Sequence, residues 1–202
     1  MRSIISKGTA YFLLFLFSCQ PGALSPAEWD TYFALPENGY YQEQKMGDIK
    51  VAVAFRPSES LALQEMGGAI QKGSEWDSLL QKYSPYYYFV LHLSENDREL
   101  LYSPRNYPKY GELLQALSFR IHEFVKAKGS NGEEIPLVDY YFQPTYGMSS
   151  SNDILLVFEK QAARHSDDLT LILKDFGAGT GDHSFVFDVP HLENLPELSF
   201  TQ

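Results

Sequence analysis

"LTLILKDFGAGTGDHSFVFDV" (residues 169–189) contains two strand-like segments on either side of a glycine-rich segment. The residues after the glycines, HSFVFDV, alternate between the two faces of a strand, and residues 169–176 form another strand candidate. Gly177, Gly179 and Gly181 can adopt the positive φ angles that a turn between two strands needs. The sequence therefore predicts a β-hairpin near the C-terminus.

The same stretch contains a DFG triplet and a glycine run that resemble nucleotide-binding motifs. A phosphate-binding glycine loop leads from a strand into a helix, whereas these glycines lead into a strand, and no GK[ST] follows. A kinase DFG also needs an HRD segment and a downstream APE, which the sequence lacks. The context favours a hairpin over a nucleotide site, and no cofactor is predicted.

Asp175, Asp182 and His183 are the candidate metal ligands of this segment, and Asp188 lies nearby. Carboxylates and imidazoles suit divalent cations. Their spacing matches no calcium-binding loop, and polar residues in a turn are usually solvated. The expectation is therefore that no metal is bound here.

Elsewhere the strand patterns alternate with helical ones. Ser25, Pro26 and Glu28 have the spacing of a capping box and predict a short helix. Helical patterns also begin at Ser58 and Ser74. The other strand candidates are residues 49–55, preceded by a partner strand, and residues 86–94, 135–142 and 154–159. The sequence predicts an α+β fold, mainly antiparallel and sandwich-like with C-terminal hairpins, decorated with helices in its N-terminal half.

The strongest helical stripe lies in "YGELLQALSFRIHEFVKAK", residues 110–128, where apolar residues recur at helical spacing. From Phe119 onward the same residues also fit a strand that leads into the turn "GSNGEE". Helix and strand both remain open for residues 119–128.

The N-terminus, "MRSIISKGTAYFLLFLFSCQ", has the layout of an export signal. Arg2 and Lys7 precede an apolar run that extends over residues 10–17, and small residues follow it. The run is about half of the roughly 20 residues that a membrane-spanning helix needs. A permanent transmembrane helix is therefore not expected.

Leu16, Phe17, Ser18 and Cys19 resemble the lipobox of bacterial lipoproteins. The resemblance implies cleavage before Cys19 and acylation of that residue, which is the sole cysteine of the chain. It predicts a signal peptide at residues 1–18, a tether at residues 19–24 and one globular domain at residues 25–202. Gln20 replaces the Asp that retains many such proteins at the inner membrane, which favours the outer membrane of the cell envelope.

Composition limits the classes of partner. The formal net charge is −10 and lysines and arginines are not clustered, so a nucleic-acid partner is not expected. Aromatic residues make up 15% of the chain, with clusters at residues 86–89 and 140–142. These clusters suit either the core or an exposed platform for a protein, peptide or glycan.

No catalytic motif stands out. The five histidines form no HExxH pair, and the serines at 149–151 are not a nucleophile elbow. His92, on an apolar strand, is predicted to be a core or edge residue with a hydrogen-bond partner. The leading hypothesis is a lipid-anchored envelope protein with a binding or structural domain. The alternative is an envelope hydrolase that acts on a glycan or peptide, so enzymatic activity is left open.

The lipid anchor gives the first testable prediction. Radiolabelled palmitate is expected to enter the wild-type protein and not Cys19→Ala, because the thiol is the acylated group. Labelling and membrane fractionation of both proteins measure this, and unchanged labelling of the variant would contradict it.

Overall fold

The computed structural model describes residues 22–67 and 72–200. The strands in these ranges are, in chain order, β1 (Tyr41–Met46), β2 (Ile49–Arg56), β3 (Tyr86–Glu95), β4 (Arg98–Glu99), β5 (Val125–Gly129), β6 (Glu134–Ile135), β7 (Leu137–Phe142), β8 (Asn152–Glu159), β9 (Asp168–Leu173) and β10 (His183–Asp188). The helices are α1 (Pro26–Ala34), α2 (Ser58–Glu65), α3 (Ser74–Tyr83), α4 (Tyr110–Phe119), α5 (Ile121–Phe124) and α6 (Val189–Glu193).

The strands form two sheets in which every strand pair is antiparallel. The first has the order β1-β2-β3-β8-β7, with β4 paired to the end of β3, and the second has the order β10-β9-β5-β6. The predicted α+β class with mainly antiparallel strands is confirmed. The predicted C-terminal hairpin is also confirmed, because β9 pairs with β10 and Gly177, Gly179 and Gly181 all have positive φ angles.

The inner faces of the two sheets share one core. The rings of Phe89, on β3, and Phe187, on β10, have centroids 4.9 Å apart. Alternate residues of the strands point into this core, which explains the period-2 pattern in the sequence. On β9 these are Leu169, Leu171 and Leu173, all fully buried. Each such side chain contributes about 1.5–3 kcal/mol through burial.

Side-chain hydrogen bonds join the two sheets along one side. Gln42 and Gln44, on the edge strand β1, donate their amide N–H groups to the carbonyl oxygens of Val186 and Ser184 on the edge strand β10. The Gln44 bond is 2.7 Å long, and the Gln44 Oε1 lies 2.9 Å from His183 Nδ1. These bonds satisfy edge carbonyl groups that would otherwise be open to another strand.

On the opposite side the chain itself passes from one sheet to the other. β6 belongs to the second sheet and β7 to the first, and only Pro136 separates them. Proline cannot donate to a strand ladder, so it suits the position where pairing in one sheet ends.

The capping box at α1 forms as predicted. The Ser25 Oγ accepts from the Glu28 N–H at 3.4 Å, and Glu28 Oε2 accepts from the Ser25 N–H at 2.9 Å. Trp29 and Phe33 bury one face of the helix in the core. The helices that begin at Ser58 and Ser74 are also confirmed.

Residues 119–128, for which the sequence left helix and strand open, contain both a helical turn and a strand. α4 ends at Phe119, the single turn of α5 follows Arg120, and β5 begins at Val125. A helix through residue 128 is thus wrong, because Val125 and Ala127 are buried as a strand that pairs with β9. Helix α6 was not predicted, and its start is capped by Asp188, whose carboxylate accepts from the His191 N–H.

The sandwich has two distinct ends. β3 is ten residues long and therefore spans about 30 Å. The proximal end, at the start of β3, is where Leu24 pairs with Leu198 in a short bridge near α3 and α6. The distal end holds β4 and the loops at residues 100–109, 143–151 and 174–182. No helix in the described ranges is long and apolar enough to cross a membrane.

Two glycines provide a test of the packing. A Cβ at Gly129 would lie 2.0 Å from Ser166 Oγ, whereas a Cβ at Gly111, on α4, would meet nothing within 4 Å. We expect Gly129→Ala to lower the free energy of unfolding by about 1–3 kcal/mol through overpacking. Gly111→Ala is expected to raise it by up to about 1 kcal/mol through helix propensity. Urea denaturation of both variants measures these changes, and equal stability of the two would contradict the packing described.

Candidate functional site

Exposed tyrosine, methionine and arginine side chains are concentrated at the distal end. We call the following set, in which Tyr102 is half-buried and the others are exposed, the distal loop surface: Arg98, Tyr102, Arg105, Tyr107, Tyr146 and Met148. Tyr107 is 64% exposed, Tyr146 62% and Met148 83%. Large apolar side chains are rarely exposed to this extent without a reason when they lie together.

The loop at residues 143–151 is built around the buried carboxylate of Glu99, which is 1% exposed. Its Oε1 accepts from Thr145 Oγ1 at 2.6 Å, from the Gly147 N–H at 2.8 Å and from the Ser149 N–H at 3.1 Å. Its Oε2 accepts from Asn152 Nδ2 at 2.9 Å. Charge-assisted hydrogen bonds of this kind are among the stronger ones, so the loop has a defined shape before any ligand arrives.

The loop holds Tyr146 in an uncommon backbone conformation. Its φ is +53°, in the left-handed region that a non-glycine residue enters at a cost of about 1–2 kcal/mol. Gly147 follows with φ +83°, and a Cβ there would lie 3.3 Å from the ring of Tyr102. The hydrogen bonds to Glu99 offset this strain, and the result is that Tyr146 and Met148 point into solvent.

Three tyrosines form the base beneath the loop. The ring of Tyr102 lies 6.2 Å from that of Tyr107 and 5.1 Å from that of Tyr110. Burial raises the pKa of Tyr110 to about 12, and the nearby Tyr102 adds to the rise. The Tyr110 hydroxyl is therefore neutral near pH 7.

A cleft of about 620 Å³ lies beside the tyrosines and contains both arginines of the distal loop surface. Arg105 pairs with the nearly buried Glu95 at 3.4 Å. Arg98 has no carboxylate within ion-pair distance in the part of the chain that the structure describes. The rim of the cleft thus carries an unneutralised positive charge in a protein whose net charge is negative.

The glycine-rich loop lies next to this surface, because Asn106 Nδ2 donates to the carbonyl of Ala178. The N–H groups of Gly177 and Gly179 point at Asp175 Oδ1, at 3.0 and 3.1 Å. The chain's own carboxylate therefore occupies the position that a phosphate would take in a nucleotide-binding loop. This contact explains why the glycine-rich loop forms the turn of a hairpin.

The candidate metal ligands of this loop do not converge. Asp182 accepts from Lys174 and from the Asp175 N–H, and these bonds lower the pKa of Asp182. His183 instead contacts Gln44 and the carbonyl oxygen of Thr180. Within residues 22–67 and 72–200 no three histidine, cysteine, aspartate or glutamate side chains are grouped as metal ligands.

His92 has the hydrogen-bond partner that the sequence predicted, but it is a half-buried residue on the central strand β3 and not a core or edge residue. Its Nδ1 lies 2.8 Å from Asp153 Oδ1, and Ser151 Oγ donates to the same oxygen at 2.5 Å. Burial alone would raise the pKa of Asp153, but the hydrogen bonds from His92 and Ser151 hold it below its usual value. The pair lies on the outer face of the first sheet, and neither residue lines the cleft beside the tyrosines.

The aromatic clusters found in the sequence are largely structural. Tyr87, Tyr88, Phe89 and Phe142 are buried, and in these two clusters only Tyr141 is strongly exposed. The sequence reasoning missed Tyr107, Tyr146 and Met148, although the tyrosine, glycine and serine content of "TYGMSSS" is typical of binding loops. Cys19, the predicted lipidation site, lies outside the described residues.

Comparison with known proteins gives no relatives. No family model matches the chain, and no curated protein or solved structure shows a significant similarity to it.

Glu99 can be tested directly. Glu99→Gln is expected to cost about 1–3 kcal/mol of stability, because an amide N–H₂ would face donors that need an acceptor. Hydrogen exchange at Gly147 and Ser149 should accelerate more than exchange in β8. Glu112→Gln, an exposed change on α4, is the matched control and should alter neither quantity. Unchanged exchange in Glu99→Gln would show that the carboxylate does not organise the loop.

Proposed function

We propose that the protein is a lipid-anchored component of the cell envelope, held at the outer membrane through acylated Cys19, which binds a protein partner through its distal loop surface. The observation that carries this proposal is the loop built on Glu99, which displays Tyr146 and Met148 to solvent. The partner is expected to offer carboxylate groups beside an apolar patch.

The residue types of the distal loop surface support a protein partner. Tyrosine, methionine and arginine are enriched at the centres of protein interfaces, and tyrosine and arginine dominate their binding energy. A loop that is already ordered loses less conformational entropy on binding. Met148 supplies an exposed flexible apolar chain, which favours an apolar protein surface over a hydroxylated glycan.

The charges of the surface indicate the chemistry of the partner. Arg98 has no carboxylate partner among the described residues, and Arg105 is more than half exposed while it pairs with Glu95. Carboxylates from a partner would pair with these guanidinium groups in bidentate geometry.

The position of the surface fits a membrane-tethered receptor. Leu24, the last residue of the predicted tether of residues 19–24, is bridged to Leu198 at the proximal end, and the residues before it extend at most about 3.6 Å per residue. An acyl group on Cys19 would therefore hold the proximal end near the bilayer, with the distal loop surface about 30 Å farther away along β3.

The hydrolase alternative has less support. His92 and Asp153 form a hydrogen-bonded pair, but their side chains are 28% and 50% exposed and do not line the 620 Å³ cleft, whereas substrate sites are usually concave.

Site-specific photocrosslinking tests the proposal. A benzoylphenylalanine at position 146 is expected to form a discrete protein adduct in intact cells, and the same group at position 138 is not. Val138 is the control because it is 49% exposed and lies at the opposite end of β7 from the distal loops, near the start of β3. Arg98→Gln together with Arg105→Gln should reduce the yield of the adduct about tenfold, through loss of charge-assisted hydrogen bonds.

The adduct must also form between the two purified proteins. Equal crosslinking at positions 138 and 146, no adduct at 146, or an adduct that resists protease and contains only glycan would each overturn the proposal.

A further inference from the structure

The 620 Å³ cleft beside the tyrosines contains a buried carboxylate with an unused oxygen. Glu95 lines this cleft and is 8% exposed. Its Oε1 lies 3.4 Å from an Nη atom of Arg105, whereas its Oε2 has no hydrogen-bond partner among the residues that the structure describes. A buried charged oxygen without a donor is unfavourable, because nothing replaces the water that it has lost. The Glu95 Oε2 therefore indicates a donor that a ligand supplies.

The turn between β3 and β4 places a free cation beside this carboxylate. Asn96 and Asp97 form the turn with φ angles of +53° and +56°, as in the type I′ turns that join two strands most tightly. Arg98, on β4, is consequently paired directly opposite Glu95 on β3. The Cβ atoms of such a pair are about 4.5–5.5 Å apart. Because Arg98 makes no ion pair with any described carboxylate, its guanidinium is available to a ligand.

The charges that line the cleft leave one positive charge in excess. The charged residues of the lining, two basic and one acidic, are Arg98, Arg105 and Glu95. Asp97, in the turn, does not offset the excess, because it pairs with Lys50 at 3.3 Å. Asp175, in the neighbouring glycine-rich loop, accepts from N–H groups of its own loop. A ligand with one negative charge and one neutral donor would therefore satisfy both Glu95 and the two arginines.

The rest of the lining adds an apolar contact and a further donor. Tyr102 and Pro104 line the cleft, and the ring of Tyr102 is half-buried. Ser103 also lines it and is 4% exposed. The Ser103 Oγ accepts from the Asn106 N–H, so its own O–H group can still donate to a ligand. This combination suits a carboxylate with an apolar group attached close to it.

We propose that this cleft binds the free C-terminus of the partner protein. The proposal rests on the protein-binding role of the distal loop surface and specifies the group that the partner inserts. The terminal carboxylate accepts from Arg98 and Arg105. The N–H group of the last residue donates to Glu95 Oε2, and its apolar side chain contacts Tyr102 and Pro104.

A chain terminus fits this cleft better than an acidic side chain does. In the last residue of a protein the carboxylate and the N–H group are attached to the same Cα atom. They can therefore bridge two side chains that are direct neighbours across strands, as Glu95 and Arg98 are. An aspartate or glutamate within a chain would also require the chain to leave the cleft in two directions.

Arg105 can shift to admit the ligand. Its side chain is 58% exposed, and its 3.4 Å contact with Glu95 is longer than the contact of about 2.7–2.9 Å in a tight charge-assisted hydrogen bond. A guanidinium has five N–H donors. A small rotation toward the ligand's carboxylate thus opens the buried Glu95 oxygen while the ion pair is kept.

Isothermal titration of the full chain, purified in detergent, tests this with four peptides. Acetyl-Ala-Ala-Leu with a free carboxylate is expected to bind saturably with Kd of about 1 mM or below. Its C-terminal amide and its analogue with an N-methylated last residue should each bind about tenfold more weakly, because each lacks one hydrogen bond to a charged group. Acetyl-Ala-Asp-Leu amide, whose only carboxylate is internal, should bind as weakly as the amide.

Variants locate the two contacts. In Arg98→Gln the acid and the amide should bind nearly equally. In Glu95→Gln the N–H and N-methyl peptides should differ less, and the N-methyl peptide tests the same contact in the wild-type protein without altering the fold. Arg164→Gln is the matched control and should retain the full pattern. Arg164 is also exposed and without an ion pair in the described part of the chain, but it lines a cleft at the proximal end.

Four results would each overturn the proposal: no saturable binding, equal binding of the acid and the amide, equal binding of the N–H and N-methyl peptides, or full binding of the internal aspartate peptide. A discrete adduct at position 146 without peptide binding would overturn this inference alone and leave the protein-binding role in place. No adduct at position 146 would overturn the role itself, so the two failures are distinguishable.

Discussion

The packing of the two sheets on each other is the constraint from which the rest of the molecule follows. Phe89 and Phe187 meet between the sheets, and the alternating side chains of β3, β9 and β10 extend this contact along the sandwich. Close-packed cores of this kind resist deformation. The sheets can therefore carry irregular loops at both ends and hold each loop at a fixed distance from the others.

The two ends use carboxylates in different ways. At the distal end Glu99 accepts from the loop at residues 143–151 and from Asn152 at the start of β8, and these bonds set the shape of the loop. At the proximal end Glu193 accepts from Tyr87 and pairs with Lys160, which ties α6 to the start of β3 and to the turn after β8. Satisfied polar networks of this kind give rigidity.

The sequence predicted the parts of the fold that local patterns control. The hairpin β9–β10, the strand β3 and the capping box at Ser25 all depend on residues close together in the chain. The break after Phe119 was left open because Val125 and Ala127 fit a helix stripe as well as a strand, and pairing with β9 decides between them. Helix α6 is a single short turn, and its pattern is too brief to distinguish from a loop.

The sequence did not predict the candidate site, for a related reason. Glu99 and Gly147 are 48 positions apart, and nothing in either local sequence indicates that one organises the other. The abundance of tyrosine was noticed, but its division between core and surface depends on which loops the sheets leave uncovered. Tyr87 and Tyr107 look equivalent in the sequence and have opposite roles in the fold.

If the proposed lipid anchor holds the domain on a bilayer, the glutamine side chains between β1 and β10 also affect how neighbouring copies meet. A tether to a bilayer restricts molecules to two dimensions and aligns them, so like edges of neighbouring copies meet far more often than in free solution. Gln42 and Gln44 already occupy the carbonyl groups of Val186 and Ser184 that a neighbouring strand would seek. Under the proposed lipid anchor, the β10 edge would stay closed to neighbouring copies even when the domain is crowded on a membrane.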